Sequence, residues 1–174
     1  MLVIRKNVFE TNSSSTHAIC IAKSNENIEI PEEIYIDLED YQFGWEFDKR
    51  TGHHSKLAYI LIGILRSSDI VEASVVVKKI LLSLQEMGVK LVKISNLEIE
   101  TYSSDVYFDF DEGYVDHSDG LYELIEALLS DNELLKRYLF DRDSFIATGN
   151  DNSDEDVINE VKVGKTHEIF WKGN

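Results

Sequence analysis

The sequence predicts a single α+β domain spanning residues 1–174, a mostly antiparallel sheet with helices packed on one face. Three observations predict it. Strand-like and helix-like patterns come in runs rather than in strict alternation. A 174-residue chain that is 43% hydrophobic is long and apolar enough to bury a core. No internal repeat or low-complexity linker divides it.

The elements follow in order. Leu2 to Phe9 reads as a strand, Asn12-Ser-Ser-Ser-Thr16 as a polar loop, and His17 to Ala22 as a second, apolar strand. The chain is therefore expected to open on a hairpin. Ile34 to Leu38 alternates like one more strand, after the single proline, Pro31. Leu57, Ala58, Ile60, Leu61, Ile64 and Leu65 repeat at helical spacing and define one buried face. Ser67, Ser68 and Asp69 offer caps for a second helix, with Ala73, Val76, Val77, Ile80, Leu84 and Met87 inward and Lys78 and Lys79 outward. Gly88 suits the position that ends this helix. The β-branched run Val75–Val77 argues weakly against it.

Leu97 to Tyr102 and Val106 to Phe110 alternate as strands around a turn at Ser103–Asp105. Gly113-Tyr-Val-Asp-His117 fits a third strand or a functional loop. A helix is expected from Ser118 or Asp119, burying Leu121, Leu124, Ile125, Leu128 and Leu129. Ser130-Asp-Asn-Glu133 has the capping-box spacing for a further helix ending near Phe140. Ser144 to Thr148 reads as a strand, Gly149 to Asp156 as an acidic loop, and Thr166 to Trp171 as a final strand.

Charge narrows the function. Thirty-three acidic residues face 17 basic ones, a net of −16. Such a surface repels a phosphate backbone, so direct, sequence-independent nucleic-acid binding is excluded. The excess is local: Glu100 to Asp156 holds 17 acidic and three basic residues, and the rest of the chain nets −2. Tyr107, Phe108, Phe110, Tyr114, Tyr122 and Tyr138 are interleaved with these carboxylates, which suits folded presentation better than an acidic tail. A solvated face is the plain reading. The sharper reading is a surface that imitates a phosphate backbone before a basic, nucleic-acid-binding partner. Its contacts would be Asp105, Asp109, Asp111, Glu112, Asp116 and Asp119.

One cysteine excludes an internal disulfide and a Cys-cluster metal site. Cys20 falls on an apolar strand and is expected in the core. No signal peptide is read in Met1–Glu10, and the longest apolar run, Leu57 to Leu65, is too short to span a bilayer. A cytoplasmic protein without a membrane partner is expected.

Four polar segments can carry chemistry. In the first, Asn12, Ser13, Ser14, Ser15, Thr16 and His17 follow one another between two expected strands. Such a turn can cradle an anion, and a serine such as Ser14 beside His17 can form a nucleophile–base pair. Side-chain-to-backbone bonding within the turn is the plainer account. In the second, Asp116 and His117 are adjacent, although neighbours on a strand face opposite ways. The third, Thr148-Gly-Asn-Asp-Asn-Ser153, offers Asn150 and Asp151 as ligand contacts. In the fourth, Thr51-Gly-His-His-Ser-Lys56, Lys56 and the free amides of a helix start can bind an anion. His53 and His54 are adjacent, so they do not form a zinc pair on one helix face. Asp109 and Asp111 lack the remaining ligands of a calcium loop. A Mg²⁺ or Mn²⁺ site of Asp109, Asp111 and Asp116 is geometrically conceivable, but no metal or cofactor is assigned. No P-loop, G-x-G-x-x-G or G-x-S-x-G motif occurs.

Phe9-Glu-Thr-Asn-Ser-Ser-Ser-Thr-His17 resembles a segment near the start of a group of proteins from bacteriophages and low-GC Gram-positive bacteria. Gly113–His117 and Thr148–Asn152 also look like members of that group. The resemblance covers three islands and brings no activity with it. It implies a phage or prophage setting and a site assembled from the three islands. By class analogy with phage inhibitors of restriction and CRISPR nucleases, the first expectation is an acidic inhibitor of a nucleic-acid-binding host defence factor. The alternative is an enzyme or ligand-binding protein acting on a nucleotide or phosphate ester. There His17 or His117 would be the general base, with Asp116 and the serine turn beside it.

Overall fold

Alternation within Ser15–Ala22 organises the centre of the molecule. Ser15, His17, Ile19 and Ile21 occupy one side of this strand, and Thr16, Ala18, Cys20 and Ala22 the other. The computed structural model describes residues 15–23, 28–44, 46–67, 70–95, 98–102, 105–109, 113–116, 121–150, 154–163 and 167–172. The expected strand Leu2–Phe9 and the residues Asn12, Ser13, Ser14, Asp111, Glu112, His117, Asp119 and Asp151 lie outside them.

The described strands are β1 (Ser15–Ala22), β2 (Glu33–Asp37), β3 (Gln42–Phe43), β4 (Asp48–Arg50), β5 (Leu91–Ser95), β6 (Glu98–Tyr102), β7 (Asp105–Asp109), β8 (Tyr114–Val115), β9 (Phe145–Asn150) and β10 (His167–Lys172). The helices are α1 (His53–Ser67), α2 (Ile70–Glu86), α3 (Tyr122–Ser130), α4 (Asn132–Phe140) and α5 (Asp154–Val163). The main sheet runs β10-β1-β9-β4, antiparallel throughout. Three two-stranded pairs accompany it: β2 with β5 and β3 with β8, both parallel, and β6 with β7, antiparallel. The α+β class and the antiparallel sheet are as the sequence predicts.

Several details differ. β1 begins at Ser15, so Ser15 and Thr16 belong to a strand and not to the expected loop. β1 pairs with β10 on one edge and β9 on the other, and the first strand of the expected opening hairpin lies outside the described residues. Helices cover both faces of the sheet. Ala18, Cys20, Phe145 and Ala147 form a small core with Val157 and Val161 of α5, while Ile19, Ile21 and Ile146 join the large core on the opposite face. The sequence reading gave Gly149–Asp156 to an acidic loop and missed α5. Val157 and Val161 are buried on a charged helix that leaves Ile158 exposed, a weak periodic signal.

α1 is buried from Lys56 to Leu65, on all sides rather than on one face. α2 behaves as its pattern requires: Ala73, Ile80 and Leu84 are buried, and Lys78 and Lys79 are exposed. It closes with Gly88 at φ +107°, the Gly88 N–H bonded to Gln85 O and the Val89 N–H to Leu84 O. That pairing is the Schellman motif, which places a left-handed residue here and favours glycine. α3 starts at Tyr122 after Leu121, which provides no side-chain cap; Ser118 and Asp119, where the helix was expected to start, lie outside the described residues. α4 is capped by Asp131, whose carboxylate accepts from the N–H groups of Glu133 and Leu134; Ser130 instead ends α3. β6 and β7 join through Tyr102 opposite Asp105, close to the expected turn. No described helix is long and apolar enough to cross a membrane.

Candidate polar site at the end of the sheet

The large-core face of the sheet changes character along its length. Ile19 and Ile21 make it apolar in the middle, and the same side of β1 then carries His17 and Ser15. Strand register aligns equivalent residues on β9 and β4. His17 lies opposite Thr148, Thr148 opposite Asp48, and Ser15 opposite Asn150. Ser15 is 1% exposed, His17 0% and Thr148 2%, so these three residues are buried. Buried polar groups cost free energy unless they are bonded, and Ser15 and His17 are.

His17 is held from two sides. Its Nδ1 lies 2.8 Å from the Tyr59 hydroxyl of α1, and its Nε2 lies 3.1 Å from Ser15 Oγ. Ser15 Oγ in turn donates to the backbone oxygen of Asp116, at 3.4 Å. Asp116 is placed by β8: its N–H bonds Phe43 O at 2.9 Å, and the Tyr114 N–H bonds Tyr41 O at 3.1 Å. The guanidinium of Arg66, at the end of α1, clamps Gly113 O through Nε at 3.3 Å and a terminal nitrogen at 3.1 Å. Helix α1 thus fixes both the histidine and the strand that crosses above it.

Gly44 closes the site. Its φ is +104°, and a Cβ there would stand 2.7 Å from His17 Nε2, 2.8 Å from Asp116 Cβ and 3.2 Å from Ser15 Cβ. Both the dihedral and the space require glycine. Beyond it an aromatic stack runs outward. The Tyr59 ring meets Phe43 edge-on at 5.0 Å, Phe43 stacks with Tyr41, and the Arg50 guanidinium lies 5.1 Å from the Phe43 centroid while bonded to Asp48.

The three polar islands therefore converge through their described residues: Ser15 and His17 from the first, Asp116 from the second, Thr148 and Asn150 from the third. Asp105 and Asp109 lie elsewhere, at opposite ends of β7. Sequence reasoning missed Tyr59, Gly44, Asp48 and Arg50. Tyr59 sits inside an apolar helical run, where nothing local marks it as polar machinery. Strand parity did put Ser15 and His17 on one side, once the strand is allowed to begin at Ser15.

The fourth segment takes a different role. Lys56 is 0% exposed and donates to Asp141 O at 2.8 Å and Ser144 O at 3.1 Å, so it does not meet a solvent anion as expected. Burial pulls its ammonium down to about 7, against the opposing pull of Asp141. Nearby, a groove of about 430 Å³ is lined by Glu29, Pro31, Thr51, His53, Phe140 and Arg142 among others. Burial, helped by His54 and Lys56, holds His53 at about 4. Cys20 is buried as expected, and desolvation pushes its thiol up to about 12. Among the described residues no three His, Cys, Asp or Glu side chains group as metal ligands.

Comparison of the chain with family models, with curated proteins and with solved structures finds no match. The functional reading therefore rests on the site itself.

Proposed function

We propose that the protein binds or processes a nucleotide or phosphate ester at the polar end of its sheet, through Ser15, His17, Asp116 and Asn150. One observation carries this reading: three polar segments far apart in the chain meet at Ser15 and His17. A fold that needed only a sealed sheet end would reach it more cheaply with apolar side chains, because each buried polar group must be matched. Asp116 and Asn150 are half-buried and form the outward side of the cluster. The test is a thermal-shift panel of nucleotides and phosphate esters against the wild type, Asp116→Asn and Asn150→Ala. A ligand that raises the Tm of the wild type and not of the variants supports the reading; a panel without any shift contradicts it.

A second reading has its own support, in the register of the β6–β7 ribbon. Glu98 pairs with Asp109, Glu100 with Tyr107, and Tyr102 with Asp105. Strand alternation assigns these six positions to one side of the ribbon and Ile99, Thr101, Val106 and Phe108 to the other. Four carboxylate positions and two tyrosine positions on one side suit a basic, nucleic-acid-binding protein of a phage host, the anti-restriction or anti-CRISPR type of partner, met inside the host cell. Salt-sensitive capture of one such protein from host lysate, lost on joint Asp105→Lys and Asp109→Lys substitution, is the expected result. Capture unchanged by that charge reversal rules the ribbon out as the contact.

A further inference from the structure

We infer that Arg50 is the anion seat at this end of the sheet: its guanidinium, already fixed on two aromatic rings, receives two oxygens of a monoanionic phosphodiester through its terminal nitrogens. This seat deepens the phosphate-ester reading above, on which it rests.

That reading needs a cation. Ser15, His17, Asp116 and Asn150 bring one carboxylate and neither a lysine nor an arginine, so an anion held by them alone lacks a counter-charge. Two arginines come to this end. Arg66 clamps Gly113 O. Arg50 stands on β4, beside β9, and the Asp48 to which it bonds lies opposite Thr148. Strand alternation puts Asp48 and Arg50 on the side of the sheet that carries Ser15 and His17. Lys49 takes the other side and pairs with Glu160 at 2.7 Å.

The Arg50 guanidinium is held firmly and used little. Its carbon lies 5.1 Å from the Phe43 ring centroid and 5.7 Å from that of Tyr41, both within cation–π range. The two rings are stacked, with 6.2 Å between centroids and 7° between planes. Nε donates to Asp48. That uses one of five N–H donors, and among the described residues the terminal nitrogens have no hydrogen-bond partner. The side chain keeps 27% of its surface exposed, so solvent reaches it, unlike the fully buried His17.

An arginine loose on a surface loses rotamer freedom when it grips an anion, and this one is ordered beforehand. Its planar fork matches two phosphate oxygens at once. Tyr41 adds a donor, since its hydroxyl has no partner among the described residues. Burial, with Asp40 beside it, raises its phenol, which therefore keeps its proton. Asp48 at Arg50, Asp40 at Tyr41 and the net charge of −16 weigh against a dianion, which leaves the diester as the fitting phosphate.

The experiment uses the full chain labelled with ¹⁵N-arginine and dimethyl phosphate as the probe. Side-chain ¹H–¹⁵N spectra follow Arg50, its signal being assigned by its loss in Arg50→Lys. The Arg50 signal should move as dimethyl phosphate is added. The midpoint, read from the backbone amides of β4, should rise about tenfold in Arg50→Lys, which keeps the charge and loses the fork. It should rise about threefold in Tyr41→Phe, which keeps the ring stack, with Tm unchanged. Variants that lower Tm and leave the midpoint alone would make Arg50 and Tyr41 structural and overturn the seat. An Arg50 signal that answers acetate at a lower midpoint than dimethyl phosphate overturns the choice of a diester. Amides of Asp116 and Asn150 that move while Arg50 stays still sink the seat and leave the phosphate-ester reading standing. Movement of Arg50 without Asp116 and Asn150 upholds the seat and sinks that reading's site.

Discussion

Gly44 decides whether the polar site can exist. Gly44 holds a left-handed backbone and stands where a methyl group would press on His17, Asp116 and Ser15. Gly44→Ala should therefore lose about 2–4 kcal/mol, the sum of dihedral strain and overpacking, read from urea unfolding. Lys56 anchors the other end of α1 to the β9 corner, while Tyr138 O–H donates back to Lys56 O at 2.8 Å. Its amine sits at about 7 in the fold against 10.5 as a free side chain. Between those values the unfolded chain holds a proton that the folded one lacks. Stability should thus rise with pH across that window, and level off below pH 7, where both states hold the proton. In Lys56→Met the rise should vanish, together with about 1–3 kcal/mol from the bonds lost at Ser144 O and at Asp141 O, which keeps only the Ser144 N–H. Unfolding curves at pH 7, 8 and 9 check both. The sequence marked His17, Ser15, Asp116 and Asn150 by composition alone. It placed Lys56 at a helix start correctly but on the wrong side of the surface, because burial of a lysine depends on carbonyls 85 and 88 residues away in the chain.

At the scale of elements, periodicity was legible where it was strong. α1, α2, α3 and α4 all appear, and the β6–β7 pair follows from two alternating runs. Boundaries slipped where two caps compete. Asp131 and not Ser130 closes the amides of α4, since Ser130 still belongs to α3. Asp131→Ala should cost about 1 kcal/mol in thermal or denaturant unfolding, and Ser130→Ala much less. Short strands were hardly legible: β3 and β4 escaped the reading, and β8 lies within Gly113–His117, which fitted a strand or a loop. β3 and β8 have two residues each and exist only because they pair with one another, which no local pattern announces. The β6–β7 ribbon sets Glu98 directly opposite Asp109, a like-charge pair that destabilises a hairpin. Asp109→Lys should therefore stabilise the fold by a few tenths of a kcal/mol, about 0.2–1. If the same change also weakens capture of a basic partner, stability and function oppose each other at this position; a loss of stability would count against the pairing.

For the whole molecule, class was readable and layering was not. Runs of strands and helices gave α+β. The second helical layer depends on α5, whose Val157 and Val161 meet Cys20 and Ala18 only after β1 is threaded between β10 and β9. That same threading carries Ser15 and His17 to Thr148 and Asn150, under Asp116. The central claim is that these residues are one ligand site and not a sealed polar plug. A single titration tests it most directly: backbone ¹H–¹⁵N spectra of the full chain with the strongest ligand of the phosphate-ester panel, or with dimethyl phosphate. The account predicts that Ser15, His17, Gly44, Asp116 and Asn150 shift together with one midpoint, while residues around the Glu29–Arg142 groove stay still. Shifts confined to that groove, or none at Ser15 and His17 at saturating ligand, would contradict it.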